Sequence, residues 1–181
     1  MRYRIEAFAP DRHDTKGFRC GSASQENFLR RTARRQQRDG YTRLFVATSA
    51  EDSAESRVVL GFYAINAHAI GTADLPAEAA PRAPRSNLIP AVFLSHLAVE
   101  RKHQGQGLGR ILLVDALQQC QRVEAILGVR LLLLDVAVEG GEEVRAHLHT
   151  FYAAMGFKPL PGHPERLFLS LRSLPPLQTG G

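Results

Sequence analysis

The 181 residues predict an α/β (α+β) protein of a single domain, a central sheet flanked by helices. Three observations carry this. Apolar runs of strand length, Leu44-Phe45-Val46, Val58 to Ala69 and Ala91 to Val99, alternate with polar or Pro- and Gly-rich stretches. Two other segments place apolar residues at helical spacing: Leu108, Leu112, Ala116, Cys120 and Val123 in one, Val144, Leu148, Phe151 and Met155 in the other. Between the third strand run and the first of these helices stands Gln104-Gly105-Gln106-Gly107-Leu108-Gly109, so that a strand, a tight turn and a helix N-terminus succeed one another within a few residues.

Taken in order, Tyr3 to Ala7 has the pattern of a first strand. A turn region rich in Asp and His follows, and Phe18-Arg19-Cys20-Gly21-Ser22 leads into an arginine-rich helix with Ser22 or Ser24 as N-cap. Arg43 to Thr48 is a strand, Ser49 to Ser56 a hairpin loop, and Val58 to Ala69 the next strand. Gly71 to Pro90, rich in Ala and Pro, is expected as loop, with room for a short helix within 73–80. The helix from Leu108 to Leu127 stops at Gly128, and Leu131-Leu132-Leu133-Leu134 has the composition of a strand buried on both faces. A last helix from about Glu142 closes at Gly156 as a left-handed cap, and Leu167 to Leu171 makes a final strand. The expected domain is 1–174, with a loose tail over 175–181. No internal repeat is visible.

Composition excludes several classes. A hydrophobic fraction of 44% without low-complexity runs is that of a globular protein. No apolar run approaches membrane-spanning length, and Met1-Arg2-Tyr3-Arg4 opens without a signal-peptide core. Two cysteines, Cys20 and Cys120, make no disulfide framework, and Cys120 falls on an apolar helix stripe. These observations lead to the expectation of a cytoplasmic enzyme without membrane contact.

The glycine turn is a phosphate cradle by its surroundings. Unpaired N–H groups of a first helical turn favour anions, and glycines let the backbone approach a phosphate closely. A dinucleotide fingerprint requires a third glycine where Arg110 stands, and a nucleoside triphosphate loop requires Gly-Lys-Ser/Thr, which is absent here. The pattern that remains is Gln/Arg-x-x-Gly-x-Gly/Ala, met by Gln104, Gly107 and Gly109. A second motif is Phe151-Tyr152-Ala153-Ala154-Met155-Gly156-Phe157, in which Tyr152 lies about 100° round the helix from the apolar stripe. Its plainer reading is a core-edge tyrosine with a solvated hydroxyl.

The glycine pattern resembles the pyrophosphate loop of the GNAT-type N-acetyltransferases, which hold acetyl-coenzyme A, and the order β, α, β, β, β, α, β, α, β extends the resemblance over nearly the whole chain. It implies a mixed, mostly antiparallel sheet splayed around acetyl-coenzyme A. It also implies that Leu97, Ala98 and Val99, with Gln104, Gly105, Gln106, Gly107, Leu108, Gly109 and Arg110, bind the cofactor, and that Tyr152 protonates the departing thiolate. Phe18-Arg19-Cys20-Gly21, Asn27-Phe28-Leu29, Ala33, Gln36-Gln37, and Ile89-Pro90-Ala91-Val92 running on to Leu97-Ala98-Val99 look like the toxin acetyltransferases of bacterial toxin–antitoxin pairs. That family acetylates the α-amino group of aminoacyl-tRNA, is masked by a ribbon–helix–helix antitoxin and commonly forms homodimers. The alternatives that remain are transfer to a small-molecule amine or protein N-terminus, and a non-catalytic module that senses coenzyme A.

Arg30, Arg31, Arg34, Arg35 and Arg38 fall within about 140° of one helix face at 100° per residue, opposite Phe28, Leu29 and Ala33. With a formal net charge of +5, a solvated face and a nucleic-acid contact are both open on charge alone. The toxin resemblance implies RNA contact for these five residues together with Arg82 and Arg85. Ser95-His96 departs from the Gly-Arg or Ala-Arg that related toxins often carry, and His96 is open as a base, a positioning group or a plain sheet residue. His147 and His149 point to different faces of their helix, so no metal site is expected. Glu142 and Glu143 suit a helix N-terminus. An α-amine, with a reference pKa of about 7.7–8.0, is largely neutral at working pH and needs no strong base; a lysine at about 10.4 needs one. No Asp or Glu of the sequence stands out as that base.

Overall fold

A computed structural model describes residues 2–52, 57–79, 85–137 and 139–176. Strand β1 (Tyr3–Ala7), β3 (Arg43–Ser49), β5 (Gly61–Gly71), β6 (Leu88–Val99), β7 (Leu131–Asp135), β9 (His163–Ser170) and β8 (Lys158–Leu160) hydrogen-bond in that order. The β6–β7 pair is parallel, while β1–β3, β3–β5, β7–β9 and β8–β9 are antiparallel, giving the mixed, mostly antiparallel sheet that was expected. A separate parallel pair joins β2 (His13–Asp14) to β4 (Arg57–Val58). The expected strand from Val58 to Ala69 is thus interrupted at Val59 and Leu60, both buried, before β5 begins. The chain divides into two compact units, Met1–Asn66 with Ser95–Ala116, and Ala67–Leu94 with Leu117–Gly181.

In the first unit, Leu44 and Val46 of β3 and Phe62 and Ala64 of β5 pack with Phe8, Phe18, Phe28, Leu29, Ala33 and Ala98 in one apolar cluster. The arginine segment is not the regular helix expected. Ser22 caps α1 (Ala23–Asn27) by accepting from the Gln25 N–H at 3.3 Å, and Glu26 Oε1 reaches back to the N–H groups of Cys20 and Gly21. A π-helical turn over Phe28–Thr32 then intervenes before α2 (Ala33–Arg38), and the Ala33 N–H bonds to the Phe28 carbonyl. The wider turn lets buried Phe28, Leu29 and Ala33 share one side, which a strict 3.6-residue period does less well.

Helix α3 (Leu108–Ile126) buries Leu108, Leu112, Ala116 and Cys120 as the spacing predicts, and Val123 is half-buried. Its first two turns lie close to β5 because residue 61 is glycine: a Cβ there would stand 2.8 Å from Leu112 Cδ1 and 3.2 Å from the Ala98 carbonyl oxygen. Tyr63, fully buried on β5, donates to Asp115 Oδ2 of α3 at 2.5 Å. The residue that seats the helix and the hydroxyl that holds it are two positions apart on one strand, hence on one face.

In the second unit, Leu131 to Leu134 are all buried, consistent with a strand covered on both faces. The register runs from Ala91↔Leu131 to Leu94↔Leu134 on one side and from Leu131↔Ser170 to Asp135↔Arg166 on the other. Between β5 and β6 the chain makes two single 3₁₀ turns, Thr72–Asp74 and Ala77–Ala79, in place of a short helix. Helix α4 (Gly141–Ala154) corrects the expected stripe: Val144 is exposed, Leu148, Phe151 and Met155 are half-buried, and Tyr152 is the buried residue of the helix. The stripe counted purely apolar side chains, whereas the ring of Tyr152 packs edge-on to Phe151 and Phe157 with centroids 5.1 and 5.7 Å away. Gly156, at φ +92°, is the left-handed cap. Strand β9 starts four residues earlier than Leu167 and pairs with β8, a hairpin that Pro159, Pro161 and Pro164 conceal in the sequence. Pro175, placed in the tail, accepts a hydrogen bond from Gln121 Nε2 at 2.8 Å. No helix among the described residues is long and apolar enough to cross a membrane.

Candidate functional site

The glycine loop belongs wholly to the first unit. Strand β6 ends at Val99, and Glu100 caps a 3₁₀ turn over Arg101–His103 by accepting from the Lys102 N–H at 2.7 Å. Gln104 is a brace: its Nε2 donates to the carbonyls of Cys20 (2.9 Å) and Val99 (3.0 Å), tying the loop to the strand end and to the entry of the arginine segment. Gln106 Nε2 donates to the Lys102 carbonyl at 2.8 Å. Gly105 and Gly107 have φ of +73° and +83°, and a Cβ on either would meet nothing within 4 Å. Both glycines are therefore required by backbone conformation. Gly109 lies in the first turn of α3, where a Cβ would touch Val99 Cγ2 at an ordinary 3.7 Å. Leu108 is buried and Arg110 exposed, and the first N–H groups of α3 form the anion-favouring end of the helix.

Leu97 and Val99 are half-buried and Ala98 is in the core. Before them His96 lies flat on Phe28, ring centroids 3.5 Å apart and planes 10° from parallel. Burial pushes its imidazole down to about 4. Its Nδ1 is 3.1 Å from Ser95 Oγ, which is 2.7 Å from Asn66 Oδ1. Thr42 Oγ1 donates to the Ile65 carbonyl at 3.2 Å, and Asn66 Nδ2 donates to the Tyr41 carbonyl at 2.7 Å. Thr42 and Asn66 were not singled out in the sequence, and Ser95 only as half of the Ser95-His96 departure. The available signal is a single Asn closing the apolar run from Phe62 to Ile65.

Tyr152 belongs to the second unit. It is 7% exposed, and burial pushes its phenol up to about 12. The neutral phenol is therefore the form present at any working pH. Cys120, also buried and pushed up to about 12, is a core thiol rather than a nucleophile.

Arg30, Arg31, Arg34, Arg35 and Arg38 are all exposed, as is Arg85, and Arg82 lies outside the described residues. Arg30 is bonded to Glu26 Oε2 at 3.3 Å and Arg38 to Asp39 Oδ1 at 3.0 Å. Arg31, Arg34 and Arg35 carry no ion pair among the described residues.

Residues 41–159 match the family described as Acetyltransferase (GNAT) domain. The chain is 37% identical over 170 residues to a protein of Sinorhizobium fredii named "Probable toxin TacT", covering 94% of this chain and 92% of that one. It is 33% identical over 162 residues to the "tRNA-acetylating toxin" of Mycobacterium tuberculosis, covering 90% and 89%. Among solved structures it resembles AtaT complexed with acetyl-methionyl-tRNAfMet, at a TM-score of 0.80 and 28% identity over 95% of this chain and 96% of that one. It also resembles a tyrosine-to-phenylalanine mutant of AtaT bound to the C-terminus of the antitoxin AtaR and acetyl-CoA, at a TM-score of 0.75 and 28% identity over 94% of each.

Proposed function

Because the chain belongs to the GNAT acetyltransferase family, we propose that it transfers the acetyl group of acetyl-coenzyme A to the α-amino group of an aminoacyl-tRNA. It then acts as the translation-blocking toxin of a toxin–antitoxin pair. The observation that carries this reading is the match along nine-tenths of the chain to a protein named for acetylating tRNA.

The residues fit the donor. Backbone N–H groups from Gly105 to Arg110 hold its pyrophosphate, with Gln104 and Gln106 bracing the loop from behind. An N–H along Leu97 to Val99 polarises the thioester carbonyl and stabilises the oxyanion formed on attack. Tyr152, neutral and buried, gives its proton to the thiolate as it leaves. The arginine face, with Arg82 and Arg85, meets the RNA backbone. An antitoxin of the ribbon–helix–helix type masks the toxin, which works as a cytoplasmic homodimer.

The loop geometry separates its two later glycines. Gly107→Ala forces an L side chain into the left-handed region, at about 1–2 kcal/mol, and is expected to weaken acetyl-coenzyme A binding at least tenfold by calorimetry. Gly109→Ala, with only an ordinary contact to Val99, is expected to bind within about threefold of the parent.

The reading is tested with labelled acetyl-coenzyme A, a pool of charged tRNA and the same pool deacylated. Label on the charged pool alone is expected. Label on neither, with cofactor bound, would redirect the search to small amines and protein N-termini.

A further inference from the structure

We infer that His96 contacts the acceptor: its Nε2 accepts a hydrogen bond from the α-amine and sets that amine against the thioester held along Leu97 to Val99. The inference rests on the transfer reaction proposed above, but its structural part stands on a chain of hydrogen bonds whose direction can be worked out.

The chain starts at a backbone carbonyl. The Tyr41 oxygen can only accept, so Asn66 presents its amide nitrogen to it at 2.7 Å, which turns Oδ1 toward Ser95. Oδ1 can likewise only accept, so the Ser95 hydroxyl proton points to it across 2.7 Å, the shorter of that hydroxyl's two reaches, the Ala64 carbonyl lying at 3.3 Å. Ser95 Oγ then has only lone pairs left for His96 Nδ1 at 3.1 Å, and Nδ1 must be the protonated nitrogen. A neutral imidazole carries one N–H, so the lone pair stands on Nε2. Burial keeps the ring neutral across the physiological range. The tautomer is fixed through Ser95 by Asn66, 29 residues earlier in the chain, not by the local sequence.

The flat stack on Phe28 fixes the plane of the ring, leaving Nε2 one direction in which to accept. His96 is half-buried rather than buried, and no protein group among the described residues bonds to its Nε2, so that lone pair is left for a ligand. His96 also immediately precedes the strand segment assigned to the thioester. An attacking amine must aim its lone pair at the carbonyl carbon, and an acceptor for one of its N–H bonds holds it in that orientation. As the C–N bond forms and the C–S bond breaks, the thiolate takes its proton from Tyr152. The surplus proton on nitrogen leaves along the bond to Nε2 and on to water, and Tyr152 is reprotonated from solvent.

Two measurements on the full chain test this. In two-bond ¹H–¹⁵N spectra of the free protein, Nε2 is expected as the unprotonated nitrogen; an Nε2–H tautomer overturns the inference. In transfer assays, His96→Phe keeps a ring on Phe28 and removes the acceptor, and is expected to lower kcat/KM for charged tRNA about tenfold. Acetyl-coenzyme A affinity and the melting temperature at pH 7 stay unchanged. His96→Gln, which offers an amide oxygen near the place of Nε2, is expected to recover much of the loss, and Ser95→Ala to fall between. Parental kcat/KM in His96→Phe, or no difference between the Phe and Gln variants, overturns the role. If the parent itself acetylates no charged tRNA, the proposed function fails, while the spectra still judge the hydrogen-bond chain.

Discussion

Tyr152→Phe is expected to lower kcat for acetyl transfer at least a hundredfold while leaving the affinity for acetyl-coenzyme A unchanged. The substitution removes one hydroxyl and keeps the ring that packs edge-on to Phe151 and Phe157, so the helix end and its Gly156 cap are preserved. On the proposed mechanism, what is lost is the proton for the thiolate. Burial pushes the phenol up to about 12, which at first sight makes it a reluctant acid. The same desolvation raises the basicity of a thiolate expelled beside it, so the proton still has a driving force to sulfur. The pH profile carries the sign. A general acid is active while protonated, and activity through Tyr152 falls only as pH rises through about 12. The rising limb belongs to the acceptor α-amine, near 7.7–8.0, because only its neutral form attacks. The profile of kcat/KM is thus expected to climb to about pH 8 and stay flat to at least pH 10. A Phe variant with more than a tenth of parental kcat would return Tyr152 to the core-edge tyrosine that its position on the helix also allows.

That residue shows why some of the site was legible in the sequence and some was not. The glycine loop was legible because its determinants are local. Two glycines at positive φ, a strand before and a helix after need only neighbouring residues to specify them. Leu131 to Leu134 were legible for the same reason, four apolar residues leaving no polar face to put in water. The burial of α4 was not, because a hydrophobic stripe omits tyrosine while packing uses its ring. The π turn at Phe28–Thr32 escapes a count at 100° per residue, since it is imposed by packing Phe28 and Ala33 into one core. Strands β2 and β4, of two residues each, are too short to show alternation and exist only by pairing across more than forty residues. The polar chain from Asn66 to His96 joins two strands in space and has no counterpart in any sequence window.

Substituting Arg31, Arg34 and Arg35 together by Gln is expected to raise KM for charged tRNA about ten- to a hundredfold, with acetyl-coenzyme A binding unaffected. These three differ from the rest of the stripe in their ion pairing. Glu26 already balances Arg30, and Asp39 balances Arg38, so those charges are partly spent within the protein. Arg31, Arg34 and Arg35 are exposed and without ion pairs among the described residues, which leaves their charge for a polyanion. A solvated face and an RNA face differ in one measurable respect. Each phosphate neutralised releases counterions, so log affinity falls with log salt by about 0.7–0.9 per contact. The triple variant is therefore expected to reduce that slope by about two, where Arg30→Gln with Arg38→Gln reduces it by less than one. Because the substitutions lie on the outward side of the π turn and α2, opposite buried Phe28, Leu29 and Ala33, stability is expected to be unchanged or slightly higher as like charges are removed. An unchanged slope and KM would make the stripe plain solvated surface and move the tRNA contact elsewhere, with acetyl transfer to the charged pool still deciding whether tRNA is the acceptor.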